Sequence, residues 1–494
     1  MQHSGIRVGW ASTDLTPEQP CLVSGQFYAR ISGGVLDPVT ATALALEQGD
    51  EGDGCRRVVM VSCDYVSIPD GLRDDVRDHL RTMLPELDPQ CVFISATHTH
   101  TGPEVRVEAD ALQTAGGSIL ERYGVELDVM DPAEYAAVAA KRIAQTVVEA
   151  WESRKPGGIS FGLGHATVGY NRRISYYNGE SRMYGEMNDP EFSHIEGGTD
   201  TSVNMLFTWD EARNLTGIVP NVACPAQISM HEFAFSADYW HETRVELRKR
   251  LGEELFVLPQ CSPAGDQNPG HQRITIGWEA QQRMWELLGR TQREDLGVRI
   301  ADAVESVLPC MSAAIDTDPV LGHVCGTVLL PRRRLTQKDV DDAEVEAATL
   351  REKYEELKAE LEANPELRED PRWYVGITAA YRRMQWNRKV RARFEMEAQS
   401  PELPVEAHVV RLGDVAFATS PFEYYLDYGL QIKARSRAIQ TFLVQLTGTG
   451  TYLPTQRAIS GGSYGAVAAS TPIGPEGGRK LVDWTVETIN GLWE

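Results

Sequence analysis

The chain has 494 residues, 42% hydrophobic and 8% aromatic, which is apolar surface enough for a large folded core. Its 71 Asp and Glu outweigh 48 Lys and Arg, giving a formal net charge of −23 with no basic stripe, and this disfavours nucleic acid and anionic membrane surfaces as partners. No run of about 18 apolar residues and no apolar leader core in "MQHSGIRVGWASTDLTPEQP" is present, so neither a membrane span nor a secretory signal is expected, and eight scattered cysteines without a CxxC pair read as reduced thiols of a cytoplasmic protein.

In chain order, "RRVVMVSCDYV" (56–66) predicts a buried strand. "DGLRDDVRDHLRTML" (70–84) predicts an amphipathic helix with Leu72, Val76, Leu80 and Leu84 on one face, and "CVFISAT" (91–97) the next strand. That βαβ pattern argues for a parallel sheet, with ligands beyond the carboxyl ends of its strands, where Asp64 and the pair His98 and His100 fall. A helix follows over Pro132 to Ser153, then strand and loop over 157–177, a buried strand in "LTGIVPNVACPAQ" (215–227), a Ser/Asp-capped helix in 236–255, a strand and Gly/Pro loop in 255–270, and a helix near 294–308. Around Pro331 the composition turns strongly charged. Val340, Ala343, Ala347, Leu350, Tyr354, Leu357 and Leu361 form one apolar stripe, and a second helical pattern covers 371–397. The reading is one α/β domain over 1–494, a mixed and largely parallel sheet sandwiched by helices, with a helical hairpin inserted at 331–397. The stripe packs on the body or on a second copy of the chain, so a homo-oligomer through the hairpin is an open expectation. The last hundred residues return to short strands and end in a helix.

The stretch "CVFISATHTHTGPE" (91–104) is where chemistry concentrates. In an extended chain residues i and i+2 share a side, so His98 and His100 would face one way. Two close neutral imidazoles suit one zinc ion, or one ligand and one acid–base group. The plain alternative is a hydrogen-bonded pair at a strand end; the carboxyl-edge position before Gly102 and Pro103 favours a site.

"ISATHTHTGP" resembles the histidine motif of the neutral/alkaline non-lysosomal ceramidase superfamily. "RVGWASTDLTP", "GYNRR", "SADYW", "AGDQNP", "SPFEYYLDYGL" and "TYLPTQRAISGGSY" resemble, in order, further segments of its catalytic domain. The likeness covers nearly the whole chain apart from the 331–397 hairpin, and the family's immunoglobulin-like domain is expected to be absent. The resemblance implies one zinc ion held by His98, Glu423, Tyr452 and a second histidine, with roles near the substrate for His100, Arg172 and Tyr464. Taken alone, Glu423 reads as an exposed carboxylate and Tyr452 as a core aromatic.

Two departures from the family pattern stand out. Pro225 occupies the place of the second metal histidine, and His231 is the expected substitute, ahead of His241, His194 and Cys224. Asn268 stands where the family has a serine in a Gly-Asp-x-Ser-Pro loop, and an amide cannot form an acyl-enzyme through a hydroxyl. Ser262 lies on the wrong side of Gly265. Asp266 orients a ligand or caps the loop, and Asn171 and Asn268 are placed with the substrate. These residues imply a metal-dependent hydrolase of a small polar molecule, with an amide as the first bond type and metal-activated water as nucleophile. The alternatives are cleavage of a sugar or polyol derivative, suggested by Trp, Tyr, Asp and Arg near the motifs, and a catalytically silent binding protein on the same fold.

Overall fold

Two β-sheets stacked face to face make the centre of the molecule, seen in a computed structural model that describes residues 5–49, 56–106 and 117–494; Cys55 lies outside these residues. Among the described residues the larger sheet has nine strands. Its order is Phe256–Val257, Leu215–Val222, Ser202–Asp210, Lys155–His165, Arg7–Asp14, Thr40–Gln48, Arg56–Cys63 and Val92–Ala96, with Gln260–Cys261 also beside Leu215–Val222. The smaller sheet runs Leu321–Pro331, Glu402–Leu412, Val415–Ser420, Gln440–Gln445. Between the sheets Trp10, Leu44, Met60, Phe93 and Leu206 meet Val410, Phe417, Phe442 and Val444.

The outer faces are equally apolar, which is why these strands read as near-continuous hydrophobic runs. Helices Asp70–Met83 and Pro132–Glu152 cover one half of the large sheet, and Tyr239–Leu251 and Gln292–Ala313 the other. Leu426–Arg435 and Pro475–Gly491 cover the small sheet, so the layers run helix, sheet, sheet, helix.

The fold is mixed α/β with a large mixed sheet, as expected, and Arg56–Cys63, Asp70–Met83 and Val92–Ala96 form the anticipated parallel βαβ unit. The balance of the sheet differs from the expectation: most neighbours are antiparallel. The cause is connection length. A four-residue link joins Ser202–Asp210 to Leu215–Val222, too short for the crossover that parallel strands need.

Helices Gln337–Ala363 and Tyr374–Gln399 leave the small sheet between two register partners, Pro331 and Glu402. Their apolar stripe packs on the body. Tyr354, Leu361, Tyr374 and Ile377 meet Leu22, Tyr123 and Leu127, and Val340, Ala343 and Val390 meet Ala468 and Ala469.

Candidate active site

The strand Val92–Ala96 stops two residues before His98, which is buried and adopts φ 63°, the left-handed region that a non-glycine residue enters at a cost. The two imidazoles therefore do not project by strand alternation. The turn brings them edge to face, centroids 4.9 Å apart. Gly25 makes room: a Cβ there would stand 2.8 Å from the Cα of His100.

His98 Nδ1 lies 2.6 Å from the carbonyl oxygen of Val66. A carbonyl only accepts, so Nδ1 carries the proton and neutral His98 presents a lone pair at Nε2. That atom lies 3.3 Å from Glu423 Oε2. Both atoms are buried and neither has a hydrogen-bond partner. Two buried acceptors at this separation call for a cation between them, a proton or a metal ion. Glu423 and Tyr452 are register partners in a two-stranded parallel ladder, which brings the phenol to the same place. With a proton on His98 Nε2 as that cation, burial pushes the Glu423 carboxyl up, but His98, then Arg172 and Tyr452, outweigh it and hold the group below its ordinary range.

Arg172 ties the floor together. Its Nη2 donates to the carbonyl of Gly265 at 2.9 Å and to Tyr452 Oη at 3.3 Å, and stands 3.8 Å from Glu423 Oε2. Its Nη1 donates to Tyr184 Oη at 3.1 Å and Gln227 Oε1 at 3.2 Å. Only Gly fits at 265, because a Cβ would stand 2.4 Å from the carbonyl oxygen of Glu423.

Gln227 and Tyr184 are site residues that the sequence did not single out. Gln227 Oε1 also accepts from Asn268 Nδ2 at 3.2 Å, which orients the amide so that its Nε2 donates to His100 Nε2 at 2.7 Å. The His100 proton then sits on Nδ1. Burial first, then His98, Arg30 and Arg172, hold His100 well below the usual imidazole range, so it is neutral. Asn268 also donates to Tyr184 Oη at 2.8 Å.

The remaining sequence candidates divide. Tyr464 sits edge-on to Tyr452, centroids 5.4 Å apart. Asp266 is a loop fastener: its oxygens accept from the Leu426 amide at 3.0 Å and from Asn171 Nδ2 at 2.8 Å, which also accounts for Asn171. His231 does not join His98 and Glu423; it is exposed in the turn after Gln227. His241 faces Asp37 at 4.0 Å, His194 is exposed beside Ser193, and the buried Cys224 thiol donates to the carbonyl of Val168. The chain after Leu215–Val222 directs an amide, not an imidazole, toward the site. Ser262 is buried and 1% exposed.

His98, Glu423, Tyr452, His100, Arg106 and Arg382 line a cavity of about 140 Å³. The N and O donors of the first three fit a divalent ion with an open position, as catalytic sites with three protein ligands have, and the two unpartnered buried atoms are the observation that tests the fit. Elsewhere, Cys325, Glu406 and His408 offer atoms within 4.8 Å of one another, compact enough for an ion.

No family model matches the chain, and no curated protein does. Among solved structures it is similar to the neutral ceramidase of Pseudomonas aeruginosa, with a TM-score of 0.66 and 14% identity over 99% of this chain and 74% of that one. A second, described as ceramidase complexed with C2, gives a TM-score of 0.65 and 14% identity over 99% of this chain and 75% of the other. The chain has a neutral ceramidase-like fold. No described helix is long and apolar enough to cross a membrane.

Proposed function

We propose that the protein is a zinc-dependent hydrolase that cleaves an amide bond in a small polar substrate. The observation that carries this reading is the facing pair His98 Nε2 and Glu423 Oε2, buried, 3.3 Å apart and without donors. His98, Glu423 and Tyr452 would hold the ion, and when bound it would polarise a carbonyl and lower the pKa of a water toward about 7. Arg172, held against Tyr452 and Glu423, would supply the positive charge that stabilises a negative oxygen at the ion site. Gln227 donates to His100 Nε2 and fixes the neutral ring beside the ion site, where His100 would orient the substrate and would act in proton transfer only once a bound substrate displaces that amide. Asn268 has no hydroxyl, so attack falls to water. Arg106 and Arg382 in the cavity wall disfavour an apolar acyl chain beside the reacting bond.

The test is elemental analysis of the zinc-equilibrated protein and its variants. About one ion per chain is expected for the wild type and for His100→Ala, and none for His98→Ala. Wild type without metal sinks the reading. Hydrolysis of short amides in oxygen-18 water should label the product directly and leave the protein mass unchanged. Binding without turnover is the second reading. It is favoured by Gln227, which puts an amide where a second imidazole was expected, and a wild type that binds zinc and amides but releases no amine would establish it.

A further inference from the structure

Two arginines, Arg106 and Arg382, line the cavity over His98 and Glu423. Arg382 enters it from helix Tyr374–Gln399. Its Nη1 donates to the carbonyls of Gln26 at 2.7 Å and Phe27 at 3.3 Å, and its carbon lies 4.9 Å from the centre of the Tyr123 ring. Among the described residues no carboxylate lies within ion-pair distance of it. Arg30, fully buried, spends its guanidinium on the carbonyls of Ser24, His100, Met230 and Glu232. Arg122, 7% exposed, is also without an ion pair among the described residues. The buried carboxylate of this cluster is Glu104, and Arg106 grips both of its oxygens, at 2.8 and 2.6 Å. Burial would raise the Glu104 carboxyl, but Arg106, Arg122 and Arg382 together bring it down to about 2. For Arg382 the sign is reversed: burial first, then Arg106 and Arg122, lower its pKa.

Among the described residues three arginines, Arg106, Arg122 and Arg382, thus surround the Glu104 carboxylate, in a chain whose net charge is −23. A cleft that concentrates the minority sign of charge selects ligands of the opposite sign. The fork of Arg382 has only Nη1 bound to protein, so the remaining donors suit the paired oxygens of an oxyanion. The geometry points to an anion subsite at Arg382, so that the substrate of the amide-hydrolase reading carries a carboxylate, sulfate or phosphate close to the bond that is cut. This rests on that reading for the bond, and on the arginine cluster alone for the anion. The larger cavity of about 560 Å³ shares Phe27, Trp386 and Tyr464 with the site and takes the rest of the molecule.

The test is calorimetric titration of the full chain, stripped with a chelator so that no metal binds the probe, at constant ionic strength. Probes are sulfate, phosphate, acetate, and N-acetylglycine paired with its uncharged carboxamide. The wild type should bind at least one of the oxyanions and prefer N-acetylglycine over the carboxamide by at least tenfold. Arg382→Met should weaken the anion by about 10- to 100-fold, the worth of a hydrogen bond to a charged group, and Arg382→Lys by less. Arg388→Met, exposed on the same helix, should leave affinity unchanged. Equal binding of acid and carboxamide, no oxyanion binding to the wild type, or unchanged affinity in a folded Arg382→Lys and Arg382→Met pair overturns the subsite. Loss of zinc in His98→Ala with anion affinity retained separates the two claims. Anion binding in a wild type that takes no zinc would break the hydrolase reading and leave the subsite standing.

Discussion

Two histidine–glutamate contacts in this molecule look alike and differ in what surrounds them. His98 and Glu423 approach to 3.3 Å and both facing atoms lack donors. His408 and Glu406 approach to 2.9 Å in a network that is already complete. Glu406 accepts from Arg77 through both oxygens at 2.9 Å, and His408 Nδ1 lies 3.0 Å from His323 Nε2, with the rings stacked. One consistent set of protons satisfies that chain from His323 through His408 to Glu406. Burial would raise Glu406, but His408, Arg77 and Arg73 drive it far below the ordinary carboxylate range. The difference teaches that nearness of ligand-type atoms does not mark a metal centre; a shortage of protons among them does.

The largest expected effect tests that contrast directly. His98→Ala and Glu423→Gln should each remove the bound ion and lower turnover by about 1,000-fold, the scale of losing a fixed electrostatic stabiliser. His408→Ala should keep the ion and most activity. If His408→Ala loses the metal and His98→Ala keeps it, the two clusters have been assigned the wrong way round.

Stability should show the opposite pattern. Glu406→Gln leaves Arg77 without its charge partner. A fully buried pair broken this way costs roughly 3–5 kcal/mol, and with Glu406 22% exposed about 2 kcal/mol is expected as a lower urea midpoint. Glu423→Gln should cost much less, or stabilise the metal-free protein. An unchanged midpoint for Glu406→Gln would mean that the network is not a structural one.

A smaller effect concerns acid. Glu104 has a folded-state pKa of about 2 against an unfolded value near 4.3. Its contribution to stability is present in full above the unfolded value and is lost as pH falls through the folded one. Glu104→Gln should therefore flatten the dependence of melting temperature on pH between about 4.5 and 2. Parallel profiles in wild type and variant over that window would show that Arg106 does not stabilise the carboxylate.

The smallest effect is expected at Asn268. Asn268→Ser restores a hydroxyl but removes the donor to Tyr184 and Gln227, and turnover should change by less than about threefold with no acyl adduct by intact mass. A covalent adduct in the variant alone would show that the loop is built for nucleophilic catalysis.

The helical and βαβ segments were legible because their apolar periodicity is strong, and "THTHTGP" pointed to His98 and His100 because ligand-type residues crowd a strand end. Glu423 and Tyr452 were reached only through resemblance; their pairing as register neighbours belongs to the fold. Gln227 carried no signal, since an amide in a short loop has no spacing rule attached to it. Arg382 looked like any solvated cation of an exposed helix, and only the packing of Tyr374–Gln399 on the body turns it inward. The Cys325, Glu406 and His408 cluster had a signal that went unused: "HVC" and "EAH" place ligand types two apart, on one face of each of two strands.

Arg30 binds carbonyls 6, 70, 200 and 202 residues away along the chain. One side chain therefore closes loops that are among the slowest for a chain to close. The pocket wall is not a local structure that can form early and wait. Amide hydrogens of the 24, 100 and 230 segments should exchange together, as one cooperative opening unit, and a chain arrested during synthesis before residue 230 would hold His98 and His100 without the frame that brings them face to edge.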